Sequence, residues 1–235
     1  AIVGLSKITR IAVDADQIIV NGNSGKVFVN PSESTLQLYR KKQEHFRSYT
    51  IGLTGIEKLL AETVDGHQIA LCANLELPQE AKNVASHGGA GIGLFRTEFL
   101  FLTRKRLPTE DEQVEDYKKV ISAVSPHPVT IRTFDLGGDK IFSEMPHPVE
   151  ANPFMGWRAI RVTLDQEKIM QTQLRAILRA AVHGKVRILI PFISGVQGIR
   201  KVKTVLLNVS TMLEKEGVDF VPDVPVGVMI ELPSS

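Results

Sequence analysis

Val129-Thr130-Ile131-Arg132-Thr133-Phe134-Asp135-Leu136-Gly137-Gly138-Asp139-Lys140 changes character halfway along. Val129, Ile131 and Thr133 have the β-branched composition of a buried strand. Asp135, Gly137, Gly138, Asp139 and Lys140 then read as the loop leaving that strand's C-terminal end. The Gly137-Gly138 pair lets the backbone turn sharply and approach a ligand with no side chain in the way. Arg132 brings a planar, permanently charged fork to the strand end, and Lys140 adds a mobile ammonium. Two cations beside a glycine turn suit an anionic substrate with phosphate and carboxylate groups. They equally suit a strand, a tight turn and surface ion pairs, and the stretch alone leaves both readings open.

Working outward, the strand is one of a series. Strand patterns at 68–75, 90–94, 129–133, 186–191 and 226–230 alternate with helical patterns. The first predicted helix, 78–86, carries proline in its first turn and stops at Gly88-Gly89. Pro108-Thr109-Glu110-Asp111-Glu112 opens the next, with an acidic first turn and Val114, Tyr117, Val120 and Ile121 at helical spacing. A long helical region presents Ile169, Leu174, Ile177, Leu178 and Ala181 on one side and ends at Gly184; 198–216 forms the last helix. Repeated strand-helix order predicts a parallel sheet with helical crossovers.

A doubly wound sheet and a (β/α)8 barrel both fit that order, and two features favour the barrel. Charged residues fall at or just beyond several strand ends: Arg96 and Glu98, Arg132 and Asp135, and Glu231. In a barrel those ends converge on one mouth. There is also no Gly-x-Gly-x-x-Gly turn after the first strand, which removes specific support for dinucleotide binding. A complete barrel needs eight strands and typically about 250 residues. About five strands are present, so the expectation is α/β with a partial TIM-type barrel over 64–235.

Residues 1–31 read as small β units, with strands at 17–20 and 26–29 around the hairpin connection Asn21-Gly22-Asn23-Ser24-Gly25. They are too few to bury a core, and read as the tail of a domain whose larger part lies upstream. Pro31-Ser32-Glu33-Ser34 then starts a helix, with Ser32 or Ser34 as N-cap. Residues 32–63 are mostly polar and read as a helical linker that Gly52 and Gly55 interrupt.

Composition bounds the function classes. Of 235 residues, 28 are basic and 26 acidic, a net charge of +2 that argues against a nucleic-acid binder. The single cysteine, Cys72, permits no internal disulfide and fits a reducing, cytoplasmic compartment. No apolar run approaches the roughly 20 residues of a membrane span, and the N-terminus lacks the layout of a signal peptide. Cys72 reads as a small buried apolar residue rather than a reactive thiol. The histidines show no metal-ligand spacing.

Three charged stretches remain. In Gly93-Leu94-Phe95-Arg96-Thr97-Glu98-Phe99-Leu100-Phe101 the apolar residues predict burial, so Arg96 and Glu98 must pair with each other or bind something. Asn152-Pro153-Phe154-Met155-Gly156-Trp157-Arg158 reads as a wall of a site with Arg158 aimed inward, though Phe154 and Trp157 serve equally as core residues. Glu231 is a lone carboxylate on an apolar strand. Mg²⁺ uses few protein carboxylates, so a ligand role fits, but one carboxylate is a weak signal.

Together, 93–102, 131–140 and 152–161 closely resemble enzyme I of the bacterial sugar phosphotransferase system, the phosphoenolpyruvate–protein phosphotransferase family. Gly227-Val228-Met229-Ile230-Glu231-Leu232-Pro233 matches too, and the resemblance covers essentially the whole chain. It implies that Arg96 and Arg132 bind the phosphate of phosphoenolpyruvate, that Arg158 and Lys140 line the same mouth, and that Glu231 is one of two Mg²⁺ ligands. It also implies a histidine-containing phosphocarrier protein as partner and a homodimer formed through the barrel domain. The phosphorylated histidine is expected upstream. The acid cysteine, the second metal ligand and a further substrate arginine are expected downstream, so the chain by itself is expected to be inactive. The rival reading is a non-catalytic half-barrel that binds or scaffolds.

Overall fold

The computed structural model describes residues 2–14, 16–53, 55–56, 59–104, 106–137 and 151–235, which form two compact units, Ala1–Lys58 and Leu59–Ser235. In the first unit, a short helix α1 (Ile8–Ile11) precedes strands β1 (Ile18–Asn21) and β2 (Lys26–Val29), an antiparallel hairpin. The side-chain oxygen of Asn21 accepts from the N–H groups of Asn23 and Ser24 and so shapes the turn. Helix α2 (Glu33–Gly52) follows, capped by Ser32, whose hydroxyl accepts from the Thr35 N–H. It has no buried residue and ends at Gly52. The ring of Tyr39 on α2 lies 5.2 Å from that of Phe28 on β2.

The second unit is α/β. Strands β3 (Ala73–Leu75), β4 (Ile92–Phe95), β5 (Val129–Arg132), β6 (Val186–Ile190) and β7 (Val226–Val228) form one parallel sheet in sequential order. Helices α3 (Glu98–Leu102) and α4 (Glu110–Val124) connect β4 to β5, α5 (Ile160–Asp165) and α6 (Glu167–Ala180) precede β6, and α7 (Val196–Glu216) leads to β7. Strand order never reverses, and α4 packs on α6 as α6 packs on α7. The crossover helices thus form one continuous layer, as a barrel wall requires and a doubly wound sheet does not.

Alternation along the strands shows which face that layer covers. Val129, Ile131, Val186, Ile188 and Ile190 are buried, whereas Thr130, Arg132, Arg187 and Leu189 between them are not fully buried. The core joins those residues to Tyr117, Val120 and Ile121 of α4 and to Leu174, Ile177 and Leu178 of α6.

Three local expectations need correction. The strand expected over 68–75 is regular only at Ala73–Leu75: Ile69 instead bonds back to Ala61, and Gln68 bridges Glu62. Cys72, expected inside, is exposed: it precedes β3, which is an edge strand of the sheet among the described residues. The helix expected at 78–86 is two 3₁₀ segments, Pro78–Asn83 and Ala85–His87, closed by Gly88 at φ 74°. Buried Ala81 and Val84 lie three residues apart, the repeat of a 3₁₀ turn.

Helix α4 begins with a reciprocal cap. The Thr109 hydroxyl accepts from the Glu112 N–H at 3.3 Å, and Glu112 accepts from the Thr109 N–H at 2.8 Å. Thr109→Ala is expected to cost about 1 kcal/mol in denaturant unfolding. Arg106 first, and the Thr109 N–H second, hold the Glu112 carboxyl down at about 2. A depressed carboxyl stabilises the fold above its ordinary value of 4.5, and that contribution is lost as pH falls through about 2. The advantage of the native chain over Glu112→Gln should therefore shrink between pH 4.5 and 2; an advantage that persists undiminished would contradict the cap.

Candidate functional site

Strands β4, β5 and β7 each deliver a charged residue at or beyond their C-terminal ends, and β6 delivers Phe192. Arg96 follows β4 directly. Its N–H donates to the Leu75 carbonyl, and its Nη1 donates to Glu76 Oε1 at 2.6 Å beyond the end of β3. This pair is well exposed and contributes little to stability. Glu98 opens α3, and the pairing of Arg96 with Glu98 that the sequence allowed is not made.

Arg132, the last residue of β5, holds Glu98 Oε1 at 2.7 Å through Nη2 and Asp135 Oδ2 at 3.2 Å through Nη1. Asp135, only 8% exposed, accepts through its other oxygen from Arg158 Nη2 at 2.8 Å. Carboxylates and guanidinium groups therefore alternate in a chain: Glu98, Arg132, Asp135, Arg158. Burial pushes the Glu98 carboxyl above its ordinary range despite the pull of Arg132, and Asp135 pushes the same way.

Arg158 reaches this cluster through backbone geometry. Gly137, just past Asp135, pairs antiparallel with Arg158 in an isolated bridge. A Cβ on Gly137 would overlap the Cβ of Arg158 and come within 3.1 Å of the Trp157 carbonyl. The approach of the two segments needs glycine there. Gly137→Ala should lower stability by about 1–3 kcal/mol and release Arg158 from Asp135. Unfolding curves check the first, and the second appears as loss of the Arg158 side-chain signal from its paired position.

The far end of the chain of contacts turns on Phe192, just after β6. The guanidinium groups of Arg158 and Arg161 lie 5.2 and 4.8 Å from its ring centroid. Its N–H donates to Glu231 Oε1 at 2.7 Å. Phe192 holds φ at 61°, a left-handed conformation that is strained for a bulky residue. Met229, two residues before Glu231, brings its sulfur within 3.8 Å of Arg132 Nη1. Arg132, Asp135, Arg158 and Glu231 are thus linked through direct contacts. Arg96 joins through its neighbour Thr97, whose hydroxyl donates to the Arg132 carbonyl at 3.0 Å. Lys140 lies outside the described residues. Phe154 is exposed, and the Trp157 indole N–H donates to Asp165.

The Nε–H groups of Arg96, Arg132 and Arg158 are buried and have no hydrogen-bond partner among the described residues. Native structures leave few such donors unpaired, and all three belong to residues singled out in the sequence, Arg96 and Arg132 at strand ends and Arg158 in the stretch 152–158. Such donors suit a multivalent anion, whose oxygens would supply the acceptors they lack. Glu231 keeps one oxygen on the Phe192 N–H, and its other oxygen has no hydrogen-bond partner among the described residues. That fits Mg²⁺, which takes one or two carboxylates and completes its shell with waters and phosphate oxygens. Among the described residues, no group of three or more His, Cys, Asp or Glu side chains is placed to hold a metal ion by itself. Phe192 and the buried Gln173 of α6 were not singled out in the sequence. Gln173 had a signal, since it interrupts the apolar stripe Ile169, Met170, Leu174 and Ile177.

With this geometry in place, the family follows. Residues 52–235 match the family model described as PEP-utilising enzyme, PEP-binding domain, where PEP is phosphoenolpyruvate, and the chain belongs to that family. Within it, the chain is similar to curated proteins named phosphoenolpyruvate-protein phosphotransferase. It is 41% identical over 235 residues to that of Staphylococcus carnosus, 43% to that of Staphylococcus aureus strain MRSA252 and 40% to that of Priestia megaterium. Each match covers all of this chain and 41% of the relative, so the chain spans about two fifths of their length.

Proposed function

We propose that this chain carries the phosphate-binding half of the active site of a phosphoenolpyruvate–protein phosphotransferase, enzyme I of the sugar phosphotransferase system. The observation that carries the reading is the set of three buried, unpartnered Nε–H groups, on Arg96 and Arg132 at the strand ends and on Arg158 in the segment that pairs with Gly137. Arg96 and Arg132 hold the phosphate, Arg158 flanks it, and Lys140 belongs to the same mouth. The Glu98 and Asp135 carboxylates hold Arg132 through its two terminal nitrogens, so that its Nε–H is the donor left over for a phosphate oxygen.

In the whole protein the P–O bond of phosphoenolpyruvate breaks while a P–N bond forms to a histidine on another domain. The departing electron pair goes to the enolate oxygen of pyruvate, and an acid group then protonates the enolate carbon. The arginines stabilise the transferring group by positions set before reaction. Glu231 would be one protein ligand of Mg²⁺, which neutralises phosphate charge when bound. The phosphoryl group then passes to a histidine-containing phosphocarrier protein.

In this reading residues 1–31 are the tail of the phosphohistidine domain, 32–63 a helical linker, and 64–235 the first part of a phosphoenolpyruvate-binding barrel through which the protein dimerises in the cytoplasm. No described helix is long and apolar enough to cross a membrane. Calorimetric titration of the chain with phosphoenolpyruvate tests the site. Binding should strengthen with added Mg²⁺, and Glu231→Gln should remove that Mg²⁺ effect while leaving the metal-free affinity within about twofold, since a rim carboxylate contributes little by itself. Mg²⁺ enhancement undiminished in Glu231→Gln would remove Glu231 from the metal site.

A further inference from the structure

Gln173 lies on α6, in the layer of helices, with its side chain 1% exposed. Its neighbours on the buried face are Ile169, Met170, Leu174 and Ile177, a setting where leucine would pack without the cost of desolvating an amide. The amide is instead fully used, and its bonds run to both loops that carry the site's cations. Its Oε1 accepts from the N–H of Phe134 at 2.8 Å, between Arg132 and Asp135. Its Nε2 donates to Thr97 Oγ1 at 3.2 Å, between Arg96 and Glu98, and to Tyr117 Oη at 3.1 Å.

Thr97 closes the ring by donating to the Arg132 carbonyl at 3.0 Å. Tyr117, fully buried, donates onward to Gln113 Oε1 at 3.0 Å, and Gln113 donates to the Pro108 carbonyl at 3.3 Å. The ring therefore runs from Gln173 through Thr97 to the end of β5 and back by Phe134. It fixes the separation of the segment bearing Arg96 from the segment bearing Arg132. Thr97 and Arg132 also join the two segments directly, Thr97 to the Arg132 carbonyl and Arg132 to Glu98; among the described residues, Gln173 is the side chain from outside both segments that bonds to each.

We propose that Gln173 is a positioning residue for phosphate recognition: it sets the spacing of the two arginine-bearing loops without touching the ligand. The inference rests on the reading of the site as a phosphoenolpyruvate site. The role demands one acceptor and two donors in a planar head. Leucine supplies none of them. An ionised glutamate keeps the acceptor but loses the donors, whereas a protonated glutamate keeps the acceptor and one donor.

The test is calorimetric titration of the chain with phosphoenolpyruvate and Mg²⁺, with thermal unfolding recorded for every variant. Gln173→Leu should weaken binding roughly tenfold, the consequence of leaving the buried Phe134 N–H unpaired and the Thr97 and Tyr117 hydroxyls without the amide donor they share. Leu213→Ala, a buried truncation on α7 remote from these bonds, serves as a control that lowers stability and should leave affinity unchanged. Gln173→Glu should bind nearly as the native chain does where its carboxyl is protonated, and lose affinity relative to the native chain as pH rises and it ionises. A merely structural residue would show no such pH dependence.

Native affinity in Gln173→Leu, or an equal loss in Leu213→Ala, would overturn the positioning role. So would a ratio of Gln173→Glu to native affinity that stays flat with pH. Failure of the site reading looks different: the native chain and Arg132→Ala would then bind phosphoenolpyruvate equally, or neither would bind, and the role of Gln173 would fall with it.

Discussion

Arg132→Ala is expected to lower the stability of the chain by about 3 kcal/mol near neutral pH and to abolish phosphoenolpyruvate binding. Breaking a buried ion pair from one side leaves the other charge uncompensated, which costs about 3–5 kcal/mol. The lower end applies because Arg132 and Glu98 keep 12% and 16% of their side-chain surface exposed. Asp135 retains Arg158, so Glu98 is the group left stranded. Its carboxyl already titrates above its ordinary value of 4.5, chiefly through burial, while Arg132 exerts the strongest pull downward. A carboxyl raised by folding favours the folded state below its unfolded pKa, and that contribution is lost as pH rises through the folded value. Removing Arg132 raises the carboxyl further. The stability gap between native and Arg132→Ala should therefore be small near pH 4 and widen toward pH 7 in denaturant unfolding. A gap that narrows with rising pH would mean Glu98 is not the partner that matters.

Phe134→Ala should cost about 3–5 kcal/mol, the range for truncating a buried aromatic. At about 2–4 °C per kcal/mol for a chain of this size, the melting point should fall by roughly 10 °C. Phe134 is 1% exposed, and its ring meets that of Phe101 edge-on at 4.9 Å. Phe101 belongs to α3, the helix that Glu98 opens. The two rings thus clamp the loop after β5 against the helix after β4, beneath the charged cluster. Loss of the ring should loosen Asp135 as well as the core, and phosphoenolpyruvate affinity should fall with stability. Phe154→Ala provides the contrast: that ring is exposed, and its removal should change stability by no more than about 0.5 kcal/mol. Equal effects of the two substitutions would refute this account of the core.

How much of this was legible in the sequence depended on whether a residue's role is written in its neighbours. Arg132 and Asp135 stand where a β-branched run gives way to glycine and charge, so the strand end could be read directly. Glu231 stands out in the same way after Val226–Val228. The sheet followed from repeated strand-helix order, and its sequential strand order agrees with the barrel preference drawn from charged strand ends. The identity of the ion pairs was not legible. Arg96 and Glu98 look like partners, but they flank the buried Thr97, and each pairs with a residue from a neighbouring strand end, Glu76 or Arg132.

Phe192 carried no signal either, because a left-handed backbone at a phenylalanine is imposed by its surroundings. Gln173 was readable in principle as one amide on an apolar stripe. Its partners, however, lie 39, 56 and 76 residues away in sequence, beyond any local pattern. The exposed Cys72 shows the same limit from the other side: strand-like composition predicted burial, but an edge position decided the outcome.

The central claim is that three arginines present unpaired Nε–H groups to one phosphate ligand. It is tested most directly by nuclear magnetic resonance of the arginine Nε–H signals during titration with phosphoenolpyruvate. The signals of Arg96, Arg132 and Arg158 should move together and saturate at one ligand concentration. Those of Arg175, whose Nε already donates to Glu110 at 2.6 Å, and of Arg179 on the same helix should stay in place. Movement of Arg175 and Arg179 alone, or no saturable movement at Arg96 and Arg132, would contradict the account.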